Sequence, residues 1–239
     1  MAGAGAAVDV RGRGGSLAGR RDLAQGSGHP VEGRPRVIAC EDEGALRVLR
    51  IEREAKANSL TAEMLGTLCD RVEEAAGQSR ALVLTGGGSV FSAGADLDEA
   101  RAGLATSPLW ERLSGAVAGF PGLTIAALNG TAAGGAMGMV LACDLRIAVP
   151  EARFFYPVMK LGFLPQPSDP GRLRALVGLS RARMILMAGQ KIPAEEALAW
   201  GLVDRLVPGD ALLETARELA ADSLAAAPEI AAGIREMCR

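Results

Sequence analysis

The sequence predicts an α/β fold in which short buried strands feed glycine-rich loops that open helices. Three observations predict it. Two brief apolar runs, residues 81–84 and 123–128, close on small-residue turns, Thr85-Gly-Gly-Gly88 and Asn129-Gly130, the pattern of strands covered on both faces. Helical spacings of three and four recur around them, at Met64, Leu68 and Val72 and again at Trp110, Leu113, Val117 and Phe120. Strand and helix patterns also alternate along the chain, which argues for a sheet with covering helices.

Taken in order, residues 1–35 are rich in glycine, alanine and arginine with no sustained period, and read as a disordered extension. The only histidine, His29, falls there and is expected to be solvent-exposed rather than catalytic. Residues 36–207 should form the folded core and 208–239 a shortened helical segment. Two alternating runs, 36–40 and 45–51, flank Glu41-Asp-Glu-Gly44 and predict a hairpin. A polar connection, 52–59, leads to an amphipathic helix over 60–76. After the strand at 81–84 the glycine loop ends on Ser92-Ala-Gly-Ala95, just before Asp96 at a helix start. Asn129-Gly130 turns the next strand into a second small-residue run, in which Gly134 and Gly135 open a buried helix. Strands are expected at 145–149, 152–155 and 202–206, and helices at 172–177, 181–188 and 194–200. Asp210 should cap a helix whose face carries Leu212, Ala216, Leu219 and Ala220, and Ile230, Ile234 and Met237 mark final turns.

Composition sets the outer bounds. With 239 residues and 49% hydrophobic content the chain can bury one substantial core. A formal net charge of −2, with only Lys56, Lys160 and Lys191 as lysines, argues against a nucleic-acid surface. No apolar run reaches bilayer length and no signal stretch opens the chain, so no membrane partner and a cytoplasmic location are expected. Cys40, Cys69, Cys143 and Cys238 are widely spaced without a CxxC. Free, mostly buried thiols and no metal site follow.

The two small-residue loops suggest a site made of backbone. Small side chains let a ligand approach the main chain, and exposed N–H groups suit a developing negative charge. The first loop is neither a phosphate-binding Walker sequence nor a GxGxxG in register. The bland alternative is that both are simply tight turns.

Read together, Lys56-Ala-Asn58-Ser-Leu60, Phe91-Ser-Ala-Gly-Ala-Asp96, Asn129-Gly130 with Gly134-Gly135 and Cys143-Asp144, Pro157 with Leu161-Gly162, and the run from Ala194 to Val203 resemble, in order and spacing, the crotonase family, the enoyl-CoA hydratase/isomerase superfamily. The resemblance covers about residues 36–227. It implies a spiral of ββα units, assembly as a homotrimer or dimer of trimers, and an acyl-CoA thioester as ligand. Coenzyme A would enter as part of the substrate, with no separately bound cofactor. It further implies a lyase or isomerase of fatty acid metabolism, with the N–H groups of Ala95 and Gly135 as an oxyanion hole for the thioester enolate. The substrate-binding positions it implies are Lys56, Ala57, Ala93, Asp96, Leu97 and Asp98. Lys56 has a plainer reading as a solvated charge, and Asp96 as a helix cap.

The family's acid–base chemistry does not carry over. Its two hydratase glutamates align with Gly138 and Val158, and the aspartate of its dienoyl isomerases and dehalogenases aligns with Gln166. None of these transfers a proton. Tyr156 and Asp169 are the acid/base candidates, followed by Lys160, with Gln166 and Ser168 as polar positioning groups. On a strand Tyr156 would face the same side as Val158; its alternative is a core tyrosine, and that of Asp169-Pro170 a helix start. Three functional readings result: an acyl-CoA enzyme with an atypical proton carrier, a non-catalytic acyl-CoA binder, and an assembly subunit that keeps the fold for packing alone.

Overall fold

The computed structural model describes residues 37–238; the extension expected at 1–35, with His29, lies outside the described residues. The chain opens on a hairpin, β1 (Ile38–Glu43) and β2 (Leu46–Ile51), turned at Gly44 with φ of 65°. β1 is longer than its apolar alternation suggested. Glu41, Asp42 and Glu43 stay paired to Val48, Arg47 and Leu46, because an edge strand leaves its polar side chains in water. α1 (Ala62–Ala75) follows, capped by Thr61, whose Oγ accepts from the Met64 N–H. Leu60, expected inside this helix, instead bridges Ala95.

From there a unit repeats: a long strand, a turn, a short strand, then helix. β3 (Ala81–Gly86), β4 (Val90–Ser92), α2 (Leu97–Arg101) and α3 (Leu109–Gly119) make the first; β5 (Leu123–Leu128), β6 (Thr131–Ala133) and α4 (Ala136–Ala142) the second; β7 (Leu145–Ala148), β8 (Arg153–Phe155) and α5 (Val158–Leu161) the third. The remainder is α6 (Asp169–Val177), α7 (Leu179–Leu186), β9 (Ile192–Pro193), α8 (Ala194–Trp200), β10 (Arg205–Leu206), α9 (Leu212–Ala225) and α10 (Pro228–Met237). One sheet is ordered β1-β2-β3-β5-β7-β10, and a second, of strands no longer than three residues, β4-β6-β8-β9. Apart from the hairpin and the β8–β9 pair, every pairing is parallel. β4, β6 and β9 are too short to show a period, which is why the sequence did not announce them.

Successive repeats are fitted at their turns. A Cβ on Gly130 would lie 1.9 Å from the Ser89 carbonyl oxygen, so only glycine lets the second turn nest on the first. Between the layers, Leu60, Leu65, Leu82, Leu84, Phe91, Leu113, Phe120, Ile125 and Phe154 are fully buried, each worth roughly 1.5–3 kcal/mol of transfer free energy. All seven residues of α4 are buried, which explains why its sequence, Ala-Met-Gly-Met-Val-Leu-Ala, has no polar face.

Three local expectations need correction. Asp210 sits in a short 3-10 turn, Gly209–Ala211, and α9 starts at Leu212 with no side-chain cap; the turn sets the chain direction instead. Of the cysteines only Cys69 and Cys143 are buried, with burial pushing their thiols up to about 11 and about 12, while Cys40 and Cys238 are exposed. Tyr156 follows β8 and Val158 begins α5, so strand alternation does not relate them. α10 buries none of its residues. Arg235 fastens it, donating to Asp144 and to the carbonyls of Ala118 and Phe120. Among the described residues no helix is long and apolar enough to cross a membrane.

Candidate active site

The first glycine loop is held from below by one buried asparagine. Asn58 Oδ1 accepts from the Arg53 N–H at 2.8 Å, its Nδ2 donates to the carbonyls of Gly87 (2.9 Å) and Val90 (2.6 Å), and its own carbonyl accepts from Ser92 Oγ at 2.7 Å. Asn58 and Ala57 both adopt left-handed backbone, φ 53° and 49°. That costs ~1–2 kcal/mol for a residue such as alanine and persists only where neighbours over-determine it. The bonds at Asn58 do so, and bring the Ala57 carbonyl to the Ala93 N–H at 3.0 Å. The sequence signal was an asparagine, among the non-glycine residues that best tolerate left-handed backbone, two positions after Lys56.

Further along, the Leu60 N–H donates to the Gly94 carbonyl (2.7 Å) and the Asp96 N–H to the Leu60 carbonyl (2.8 Å). The Ala95 N–H takes no part in that bridge, and the second loop, which follows β6, runs alongside. That loop is close: a Cβ on Gly94, whose φ is 90°, would lie 2.7 Å from the Ala133 carbonyl oxygen and 3.4 Å from the Gly135 nitrogen. Gly134, also left-handed, donates its N–H to the Phe155 carbonyl at 3.1 Å and so is fixed to the third repeat. Among the described residues neither the Ala95 nor the Gly135 N–H has a hydrogen-bond acceptor. Against Gly135 stands the Trp110 ring, 3.0 Å from where a Cβ would be, with its Nε1 donating to the Leu104 carbonyl.

Around this junction Lys56, Ala93, Leu97 and Asp98 are exposed and Ala57 and Asp96 half-buried. Asp96 receives the Arg53 guanidinium at 2.8 Å and caps α2 through the Asp98 N–H, and the Arg53 bond holds its carboxyl below the usual range. Its cap reading is the one the structure shows. A cavity of about 540 Å³ lies elsewhere, against Leu219, Ile230, Ile234 and Arg235, and none of residues 93–98 or 133–138 lines it.

The two acid/base candidates meet. Tyr156 Oη donates to Asp169 Oδ2 at 2.9 Å, and both residues are buried. A Cβ on Gly138 would lie 3.1 and 3.2 Å from the two Asp169 carboxyl oxygens, so the space beside Gly138 is filled by a carboxyl from α6. Asp169 Oδ1 sits 3.9 Å from Arg172 Nη1, and neither atom has a hydrogen-bond partner among the described residues. Burial pushes the Asp169 carboxyl up to about 6. Burial, then the neighbouring Asp169, pushes the Tyr156 hydroxyl far above its ordinary value. Glu111 anchors the segment by accepting from the N–H and Oγ of Ser168 at 2.9 and 2.7 Å, and Gln166 Nε2 donates to the Ala105 carbonyl. Lys160 is exposed and Val158 buried. Sequence reasoning named Tyr156, Asp169 and Gly138 but did not link them: Gly138 and Asp169 are far apart in the chain, and no period joins them.

The model of the enoyl-CoA hydratase/isomerase family matches residues 41–239. The chain belongs to that family. Among this enoyl-CoA hydratase/isomerase-family chain's relatives, the short-chain-enoyl-CoA hydratase of Clostridium acetobutylicum is 34% identical over 203 residues, covering 80% of this chain and 76% of that protein. The carnitinyl-CoA dehydratase of Citrobacter koseri is 38% identical over 170 residues, 67% of this chain and 63% of that one. The crystal structure of an enoyl-CoA hydratase from Bacillus anthracis superposes with a TM-score of 0.78 at 32% identity, covering 84% and 81% of the two chains. The paired sheets of three repeats are thus the crotonase fold.

Proposed function

We propose that this family member binds acyl-CoA thioesters and polarises the thioester carbonyl between the N–H groups of Ala95 and Gly135. The observation that carries the reading is the meeting of the two glycine loops, with Gly94 against Ala133 and Gly135 and, among the described residues, both N–H groups left without acceptors. An enolate oxygen gains more from fixed donors than a neutral carbonyl does, and losing one donor typically costs ~2.7–4 kcal/mol of transition-state stabilisation. The activities of the relatives, a short-chain-enoyl-CoA hydratase and a carnitinyl-CoA dehydratase, support the thioester class. Lys56, Ala57 and Ala93 would meet the coenzyme A portion, and Leu97 and Asp98 the approach to the acyl chain. A cytoplasmic enzyme working as a homotrimer or dimer of trimers is part of the same reading.

Efficient hydration is not, because glycine and valine stand where the family's two glutamates align. That observation favours a second reading, acyl-CoA binding without turnover. Calorimetric titration with acetyl-, butyryl- and crotonyl-CoA, run beside turnover assays on enoyl, dienoyl, malonyl and hydroxyacyl thioesters, separates them. Binding with turnover supports the enzyme, binding alone the second reading, and no binding of any thioester removes both.

A further inference from the structure

We propose that Asp169 is the proton carrier of this site, reaching from α6 into the volume beside Gly138, with Tyr156 as the residue that positions it. The inference rests on the acyl-CoA reading and deepens it. Gly138 lies one helical turn beyond Gly135 on α4, on the same helix face, and that face meets Trp110 at Gly135 and the Asp169 carboxyl at Gly138. A carboxyl delivered from a different helix thus takes up space beside the very residue whose side chain is missing.

Three features distinguish Asp169 from an ordinary buried acid. Its side chain is wholly buried, yet Oδ1 has no hydrogen-bond partner among the described residues; a buried acceptor left alone in this way costs stability that packing does not return, and such atoms concentrate where chemistry needs them. Oδ2 is fixed by the Tyr156 hydroxyl, so the free oxygen is held in one orientation. The groups around it are Tyr156, Arg172 at 3.9 Å and Glu111, and burial outweighs both the Tyr156 hydrogen bond and the attraction of Arg172. The result is a carboxyl pushed up to about 6, toward the range in which a general base or acid works best.

One carboxyl suits a reaction in which a single proton leaves and returns. Asp169 Oδ1 removes an α-proton from the acyl-CoA: the Cα–H bond breaks, an O–H bond forms, and the electron pair moves into the thioester carbonyl as an enolate held by the Ala95 and Gly135 N–H groups. The acid then returns the proton to Cα, or to Cγ of a β,γ-unsaturated chain, as the carbonyl re-forms. No electrons are gained or lost overall and no water is consumed. The substrate class is a β,γ-unsaturated acyl-CoA isomerised to its conjugated form.

The test uses the full chain and but-3-enoyl-CoA. Isomerisation is followed by the ultraviolet gain of the conjugated thioester, and α-deuterium uptake of butyryl-CoA in D₂O by mass spectrometry. Wild type should do both. Asp169→Asn should lower kcat by ~10²–10⁴ with the calorimetric affinity for butyryl-CoA unchanged. Tyr156→Phe should move the acid limb of the kcat profile to higher pH, because the hydroxyl favours the ionised carboxyl. A double variant, Gly138→Glu with Asp169→Gly, puts a carboxyl back from the other helix and should recover part of the rate, giving a readout even if Asp169→Asn fails to fold. Wild-type rates in a folded Asp169→Asn, or a Tyr156→Phe profile that does not move, would overturn the assignment. So would a wild type that binds butyryl-CoA but neither exchanges nor isomerises. Failure to bind any thioester would instead remove the parent acyl-CoA reading, and this one with it.

Discussion

Asp169 should make the stability of this protein fall as pH rises, and its replacement by asparagine should abolish that fall. The carboxyl is pushed up to about 6 from 3.8, so the folded chain holds its proton after the unfolded chain has released it. The stabilisation from that proton is complete below the unfolded value and is lost as pH rises through the folded one. Two units or so correspond to ~3 kcal/mol, about 2 of which fall between about pH 4.5 and pH 8. The assay is urea unfolding of wild type and Asp169→Asn at several pH values in that window. The variant should gain on wild type by ~2 kcal/mol toward the alkaline end, the change complete by about pH 7. A difference that stays flat, or that shrinks as pH rises, would show that Asp169 is ionised in the fold at all these pH values and would refute the effect assigned to its burial.

Two further outcomes are expected. Asn58→Ala removes donors from the Gly87 and Val90 carbonyls and the acceptor from Arg53, which should cost ~2–4 kcal/mol by thermal or urea unfolding and weaken acyl-CoA affinity, because the Ala57–Ala93 contact depends on it. Arg235→Ala leaves α10 without its bonds to Asp144, Ala118 and Phe120; amide exchange over residues 228–238 should quicken markedly while protection in β3 and β5 is retained.

The strands that carry most of the burial were legible because a short apolar run closed by glycine is too brief for a helix and too greasy for a loop. β5 was placed to the residue, and β3 differed only by its last two positions, Thr85 and Gly86, which stay in the sheet despite their composition. The second sheet was not legible. Three-residue strands such as Val90–Ser92 and Thr131–Ala133 are defined by what they pair with, not by their own side chains. The same division runs through the site. The two loops could be found because small residues beside a turn leave a mark in the sequence, but Ala95 and Gly135 were singled out within them only by the family resemblance. The Tyr156–Asp169 pair could be nominated but not joined, since the contact arises where the start of α6 returns to the segment after β8 and nothing local encodes it. Nor did the sequence disclose that Gly138, read as a missing acid, is a place made for another residue's acid.

The nesting of Gly130 on Ser89 has a consequence for how this architecture can change. With 1.9 Å between the would-be methyl and the carbonyl beneath it, neither bend can be lengthened or re-routed by itself; any insertion at one must be answered at the next. The spiral is therefore keyed coil to coil, like the threads of a screw, and diversity is steered into the helices that cap each coil, where an acid can migrate from one helix to its neighbour while the amides beneath stay put.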